Sequence, residues 1–237
     1  MNQSVPLLWL PGLLCDHHLF TSVNQRLADN VDPQCAVLTA DESMQVLAAK
    51  VLEDAPERFI LGGLSMGGIL AFEVYRQAPE RVAGLILIGT NAADEKMEIT
   101  LKRNSLVEKA VQGAFSMITP EILMPLLIHP SRLNDPSLTS TVTLMAEHVG
   151  LNCFMAHANA LATRPDARPL LASIAVPTLI ICGRDDLLCP VSNHLLMAEQ
   201  IPDVSLHILN NCGHLTTMEQ PERVAHHINA WLSVNNI

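Results

Sequence analysis

Short continuous apolar runs punctuate the chain at residues 5–10, 35–39, 59–62, 82–89, 178–182 and 204–209. Runs without in/out alternation suit strands covered on both faces of a parallel sheet. Helical periodicity fills the intervals at residues 17–28, 44–55, 66–78, 191–200 and 221–234. Ser43 stands at the N-cap position of the second of these, and Pro221 in the first turn of the last. Both are places where those residue types favour a helix start. Alternating strands and helices predict an α/β fold with a doubly wound, mostly parallel open sheet.

The alternation breaks between Asn91 and Leu171. Here the pattern is helical only, at residues 93–112, 120–128, 137–148 and 153–162, and it is punctuated by prolines 120, 125, 130, 136, 165 and 169. The stretch is too long for a loop and too apolar for a linker. It reads as a helical cap, residues 91–171, inserted into a core made of residues 1–90 and 172–237.

Composition narrows the class. With 49% hydrophobic and 16% charged residues in 237, the chain has ample material for a core and no case for disorder. Aromatics are only 3%, so aliphatic side chains and the ten Met must do most of the packing. The net charge of −10 repels phosphate backbones and anionic lipid heads, which argues against nucleic acid as a partner. The N-terminus has no basic region, and its apolar stretch is broken by Pro6 and Pro11, so no signal peptide is expected. No apolar run approaches the ~18–20 residues of a membrane span. The six Cys form no CxxC pair, so reduced thiols, no metal and a cytoplasmic protein are expected.

The chemistry concentrates in four segments. Gly63-Leu-Ser65-Met-Gly67 follows an apolar run and opens a helical pattern. A G-x-S-x-G in that context forms a very sharp strand-to-helix turn that exposes the serine oxygen. The flanking glycines are needed because a Cβ there would meet the neighbouring strand or helix. Ser65 is the candidate nucleophile. A serine hydroxyl needs a base, and the base needs a third group to orient it.

Two later segments supply both. The strand at 178–182 ends in Gly183-Arg-Asp185-Asp186, and catalytic groups collect at the carboxyl ends of such strands. Asp186 is preferred as the orienting acid, with Asp185 as the alternative. The last strand is followed by Cys212-Gly-His214, and His214 is the candidate base. The other nine histidines read as surface or packing residues. An oxyanion also needs two N–H donors. The amide of Met66 is one candidate, and that of Leu13, in the Leu10-Pro-Gly-Leu turn after the first strand, is the other.

Leu10-Pro-Gly-Leu, Gly63-Leu-Ser-Met-Gly-Gly, Val176-Pro-Thr with Gly183-Arg-Asp-Asp, and Cys212-Gly-His214 with Glu219-Gln-Pro-Glu222 together resemble four successive landmarks of the α/β-hydrolase superfamily. They span nearly the whole chain outside the 91–171 stretch. The family's acid stands three residues after the glycine of the seventh-strand motif, which favours Asp186. Arg164-Pro-Asp-Ala-Arg168-Pro and His214-Leu-Thr-Thr-Met-Glu-Gln-Pro are similar to small esterases and 3-oxoadipate enol-lactonases. Where many relatives have His-Gly at the oxyanion turn, this chain has Pro11-Gly12.

The family's first two strands normally precede the oxyanion strand. The resemblance therefore implies about six strands here and an open sheet edge that would favour a homodimer. It also implies a cofactor-free serine hydrolase acting on a small carboxylic ester or lactone through an acyl-enzyme, a carboxylesterase-like activity. The same site would serve thioester hydrolysis, C–C bond hydrolysis or perhydrolysis, and a receptor for a small ligand could keep the scaffold without the chemistry. A nucleotide-binding reading fails, because no G-x-G-x-x-G follows the first strand. Arg103, Arg132, Arg164 and Arg168 of the cap are candidates to meet a substrate carboxylate.

Overall fold

A computed structural model describes residues 5–237. Residues 1–4, part of the stretch read for a leader, lie outside the described residues. The chain forms β1 (Val5–Leu10), β2 (Val31–Cys35), β3 (Phe59–Leu64), β4 (Val82–Ile88), β5 (Thr178–Gly183) and β6 (Val204–Leu209). They pair in parallel throughout, in the order β2-β1-β3-β4-β5-β6.

The continuous apolar runs are explained by burial on both faces. On one face Leu8, Leu10, Leu61, Leu85, Leu87 and Ile180 pack under the helices α1 (Met44–Asp54) and α2 (Met66–Gln77). On the other, Leu7, Trp9, Ile60, Ile86, Leu179 and Ile181 meet Phe20 and the terminal helix. Trp9 stacks on Phe20 with centroids 4.4 Å apart and donates its indole N–H to Asn24 Oδ1 at 2.9 Å.

β2 lies four residues earlier than the apolar pattern places it. It is an edge strand, and Val31–Cys35 alternates half-buried and exposed positions. The search for a fully buried run therefore selects residues 35–39, where Val37 is in fact exposed. Pro33 and Asp32 stand in this edge strand, residues that discourage another strand from pairing there.

The helix expected over 17–28 is shorter. His17–Phe20 is a 3-10 turn capped by Asp16, and Thr21–Asn24 adds a single α turn. Beyond it, Ala28 N–H and Arg26 O bond the Asn229 side chain instead of continuing a helix. At Met44 the Ser43 hydroxyl bonds Gln45 Oε1 rather than a backbone amide, so Ser43 occupies the cap position without capping by its side chain.

Between β4 and β5 the chain is entirely helical. α3 (Met97–Lys109) leads into two wide π turns, Ala110–Ala114 and Ile118–Leu123, and a turn at Met124–Leu127. Two expected helices merge into one run, α4 (Pro136–Ala162), broken at Gly150 where φ is 78°. The run Met97–Leu127 is long and apolar enough, by length and composition, to cross a membrane, a feature that scanning for unbroken apolar stretches does not register. Its axis is interrupted at Gly113, with φ of 100°. After β5 come α5 (Val191–Gln200) and α6 (Pro221–Asn235), the latter opened by Pro221 at its first position.

Candidate active site

The strand order reverses between β1 and β3, and the loops leaving those two strands part to opposite sides. This is the switch point where an open α/β sheet offers a crevice beyond its carboxyl ends. Ser65 follows β3 directly there.

Ser65 adopts φ 57° and ψ −117°, a conformation a non-glycine residue holds only under constraint. The constraint is visible. Its N–H donates to Ile88 O at 2.9 Å, and its carbonyl accepts from Ile69 N–H at 3.1 Å and from the Thr90 hydroxyl at 2.8 Å. The turn is compressed as well as strained. A Cβ on Gly67 would lie 1.9 Å from Leu10 O, and one on Gly63 would lie 2.3 Å from Gly67 O.

The loop after β1 lies against this turn. A Cβ on Gly12 would sit 3.5 Å from Ser65 Cβ. Cys15 N–H closes the loop onto Gly12 O at 3.1 Å, with Leu14 at φ 59°. Among the described residues, the amides of Leu13 and Met66 donate to no loop, cap or side-chain acceptor. Met66 is the first residue of α2, where orphan amides and the helix dipole favour negative charge.

Of the two adjacent carboxylates, Asp186 meets His214. His214 Nδ1 lies 2.8 Å from Asp186 Oδ2, and both side chains are almost fully buried. The other oxygen, Oδ1, accepts from Leu188 N–H and Cys189 N–H, each at 2.8 Å. Burial opposes charge on Asp186, but His214 and these two amides outweigh it and hold the carboxyl below its ordinary pKa. A carboxylate facing Nδ1 requires Nδ1–H, which leaves Nε2 with its lone pair. Asp185 points away, more exposed, with Cys212 N–H at 3.4 Å and His129 Nε2 at 3.8 Å.

The His214–Asp186 pair packs against Gly89, the residue after the acceptor of the Ser65 amide. A Cβ there would be 3.4 Å from His214 Nδ1 and 3.5 Å from Asp186 Oδ2. Among the described residues no hydrogen bond joins the Ser65 hydroxyl to His214.

Three further residues support the arrangement, and sequence reasoning assigns them no role in it. His194, on α5, is fully buried. Its Nε2 accepts from Thr90 N–H at 3.0 Å and its Nδ1 faces Pro190 O at 3.2 Å. Burial pushes its pKa down to about 4. Thr90 in turn holds the Ser65 carbonyl. Glu219 is buried and accepts from Gly213 N–H at 3.0 Å and His129 N–H at 2.9 Å. Burial raises its pKa, and those amides oppose the rise. The signals in the sequence are that Glu219 stands in the Glu219-Gln-Pro-Glu222 motif and that His194 shares the buried side of α5 with Met197.

The loop carrying His214 is tied to the helical stretch. His214 N–H and Leu215 N–H both donate to Leu127 O, at 3.0 and 3.1 Å. The four arginines noted in this stretch all have protein partners. Arg103 and Arg164 both pair with Glu95, the latter at 2.6 Å. Arg132 pairs with Asp135, and Arg168 with Asp166 and Asp94. The thiols of Cys182 and Cys189 are pushed up to about 12 by burial, with Asp186 adding to the effect.

The parallel six-stranded sheet and the nucleophile-type turn at its switch point are those of an α/β hydrolase. Residues 38–221 match the family described as Serine aminopeptidase, S33, and the chain belongs to that family.

A thermophilic esterase from Thermogutta terrifontis is similar over 99% of this chain and 92% of its own, with 28% identity and a TM-score of 0.87. The enol-lactonase from Burkholderia xenovorans LB400 shares the fold at a TM-score of 0.88 and 18% identity, over 98% of this chain and 92% of its own. Among characterised relatives, a 2-hydroxy-6-oxononadienedioate/2-hydroxy-6-oxononatrienedioate hydrolase from a Pseudomonas species is 28% identical over 68% of this chain. The alignment spans only 58% of that relative's length. The pimeloyl-[acyl-carrier protein] methyl ester esterase of Vibrio campbellii is 29% identical over 76% of this chain and 73% of its own.

Proposed function

We propose that this protein is a serine hydrolase that cleaves a small carboxylic ester or lactone through an acyl-enzyme. The observation that carries the reading is the buried 2.8 Å contact between His214 Nδ1 and Asp186 Oδ2, held against the backbone that bonds the strained Ser65. His214 Nε2 takes the Ser65 proton as the serine oxygen attacks the carbonyl carbon. The amides of Leu13 and Met66 receive the oxyanion. The tetrahedral adduct collapses, and His214 passes its proton to the leaving alkoxide. Water, deprotonated by His214, then attacks the acyl-serine and releases the acid. Residues 91–171 act as the cap that bounds the substrate.

Each of the four arginines of this stretch pairs with a carboxylate of the protein, so none of them stands free as the obvious partner of a substrate carboxylate.

A fluorophosphonate probe and a series of p-nitrophenyl esters test the reading. Wild type should label at Ser65 and turn over short esters. Ser65→Ala should lose both, with kcat down by about 10⁴ or more, and His214→Ala should lose labelling. Folded wild-type protein that neither labels nor hydrolyses any ester or lactone would refute it and favour a binding protein.

A further inference from the structure

Outside the candidate active site, one cluster of side chains has no role in the chemistry above. Asp16 follows the loop that carries Leu13. One ligand-type atom from each of Asp16, His17 and His18 lies within 4.8 Å of the others. His18 Nδ1 is 2.8 Å from Asp16 Oδ1. From the other side His148, on α4 and 132 residues away in sequence, brings its Nδ1 to 3.3 Å from Asp16 Oδ2. The His18 ring lies 4.1 Å from that of His17 and 6.0 Å from that of His148, centroid to centroid.

The cap role of Asp16 accounts for its bond to His18 N–H. It does not account for three imidazoles converging on one carboxylate from two distant elements. Three imidazoles and one carboxylate form a nitrogen-rich, borderline donor set. Such sets take late first-row divalent ions, not calcium or magnesium, which want oxygen. With metal–ligand bonds of ~2.0–2.1 Å, the ligand atoms of a tetrahedral site stand roughly 3.3 Å apart. His18 Nδ1 and His148 Nδ1 stand near that spacing from the two different oxygens of Asp16, at 2.8 and 3.3 Å. The three histidine side chains are partly exposed, which leaves their rotamers free to adjust around an ion.

We propose that Asp16, His17, His18 and His148 form a binding site for a divalent transition-metal ion of the zinc class. Bound there, the ion staples the loop after β1 to α4. It joins the strand end that presents Leu13 to the helical stretch between β4 and β5. Its part is structural, restraining one against the other, and it lies outside the acyl-transfer chemistry.

Cobalt(II) titration of the intact protein tests the site without reference to activity. The expected result is saturation at one equivalent with visible ligand-field bands and no near-ultraviolet thiolate band. The ion should raise the thermal midpoint of wild type. His18→Ala and His148→Ala should each weaken binding at least tenfold and lose the thermal shift, while the metal-free midpoint stays close to wild type. Non-saturating binding, a thiolate band assigning the ion to cysteine, or unchanged affinity in both variants would each overturn the proposal.

Discussion

The amide of Thr90 donates to Nε2 of His194 across 3.0 Å, at the end of a chain of contacts that reaches the Ser65 carbonyl through the Thr90 hydroxyl. The bond exists only while the imidazole is neutral, because a protonated Nε2 would face another donor. The folded chain resists protonation of His194 down to about pH 4. The unfolded chain takes the proton near 6.5. Stability from this residue is therefore complete above pH 6.5 and is lost as pH falls towards 4, by about 3 kcal/mol in all. His194→Gln should flatten that part of the curve, measured by chemical denaturation at pH 7, 6, 5 and 4. Equal acid sensitivity in the variant would remove His194 as the cause.

Glu219 is placed to set the backbone around His214. Replacing it with Ala strands the amides of Gly213 and His129, each costing about 1–3 kcal/mol if left unpaired. Glu219→Ala should lower kcat on a p-nitrophenyl ester more than it raises KM, because the base moves while the pocket stays. Glu219→Gln keeps one acceptor oxygen and should recover part of the rate.

Glu95 carries both Arg103 and Arg164 in a nearly buried cluster. Burial opposes its charge, yet the two guanidinium groups hold its pKa below the ordinary value. Removing it leaves two buried cations without a counter-ion. Glu95→Ala should cost about 3–5 kcal/mol, read as a fall in the denaturant midpoint. In wild type the pair's contribution is present above pH 4.5 and fades as acid titrates the carboxyl.

Gly67 admits no side chain. Its missing Cβ would overlap a backbone carbonyl, which cannot rotate aside as a side chain can. Gly67→Ala should destabilise the protein by about 3 kcal/mol or more and abolish probe labelling. A stable, reactive Gly67→Ala would mean the turn is looser than its contacts indicate.

The sheet is largely legible from sequence because four of its strands, β1, β3, β4 and β5, bury both faces and so appear as apolar runs. β2 is misplaced for the complementary reason, since Val31–Cys35 alternates half-buried and exposed positions and contains Pro33. Ser65 can be singled out because its turn needs glycine at fixed local positions. The choice between Asp185 and Asp186 is different in kind. It depends on the amides of Leu188 and Cys189, which seize one oxygen of Asp186 and aim the other. His194 and the Asp16 cluster are invisible in sequence because their partners, Thr90 and His148, come from distant segments.

Leu127 O accepts two consecutive amides from the loop that carries His214. On the proposed mechanism, lifting the helical stretch whole would drag the imidazole out of line, so a molecule opened there would also be a disarmed one. The stretch before this pin, residues 97–123, breaks at Gly113, and small molecules are expected to pass there while one carbonyl keeps the imidazole in place.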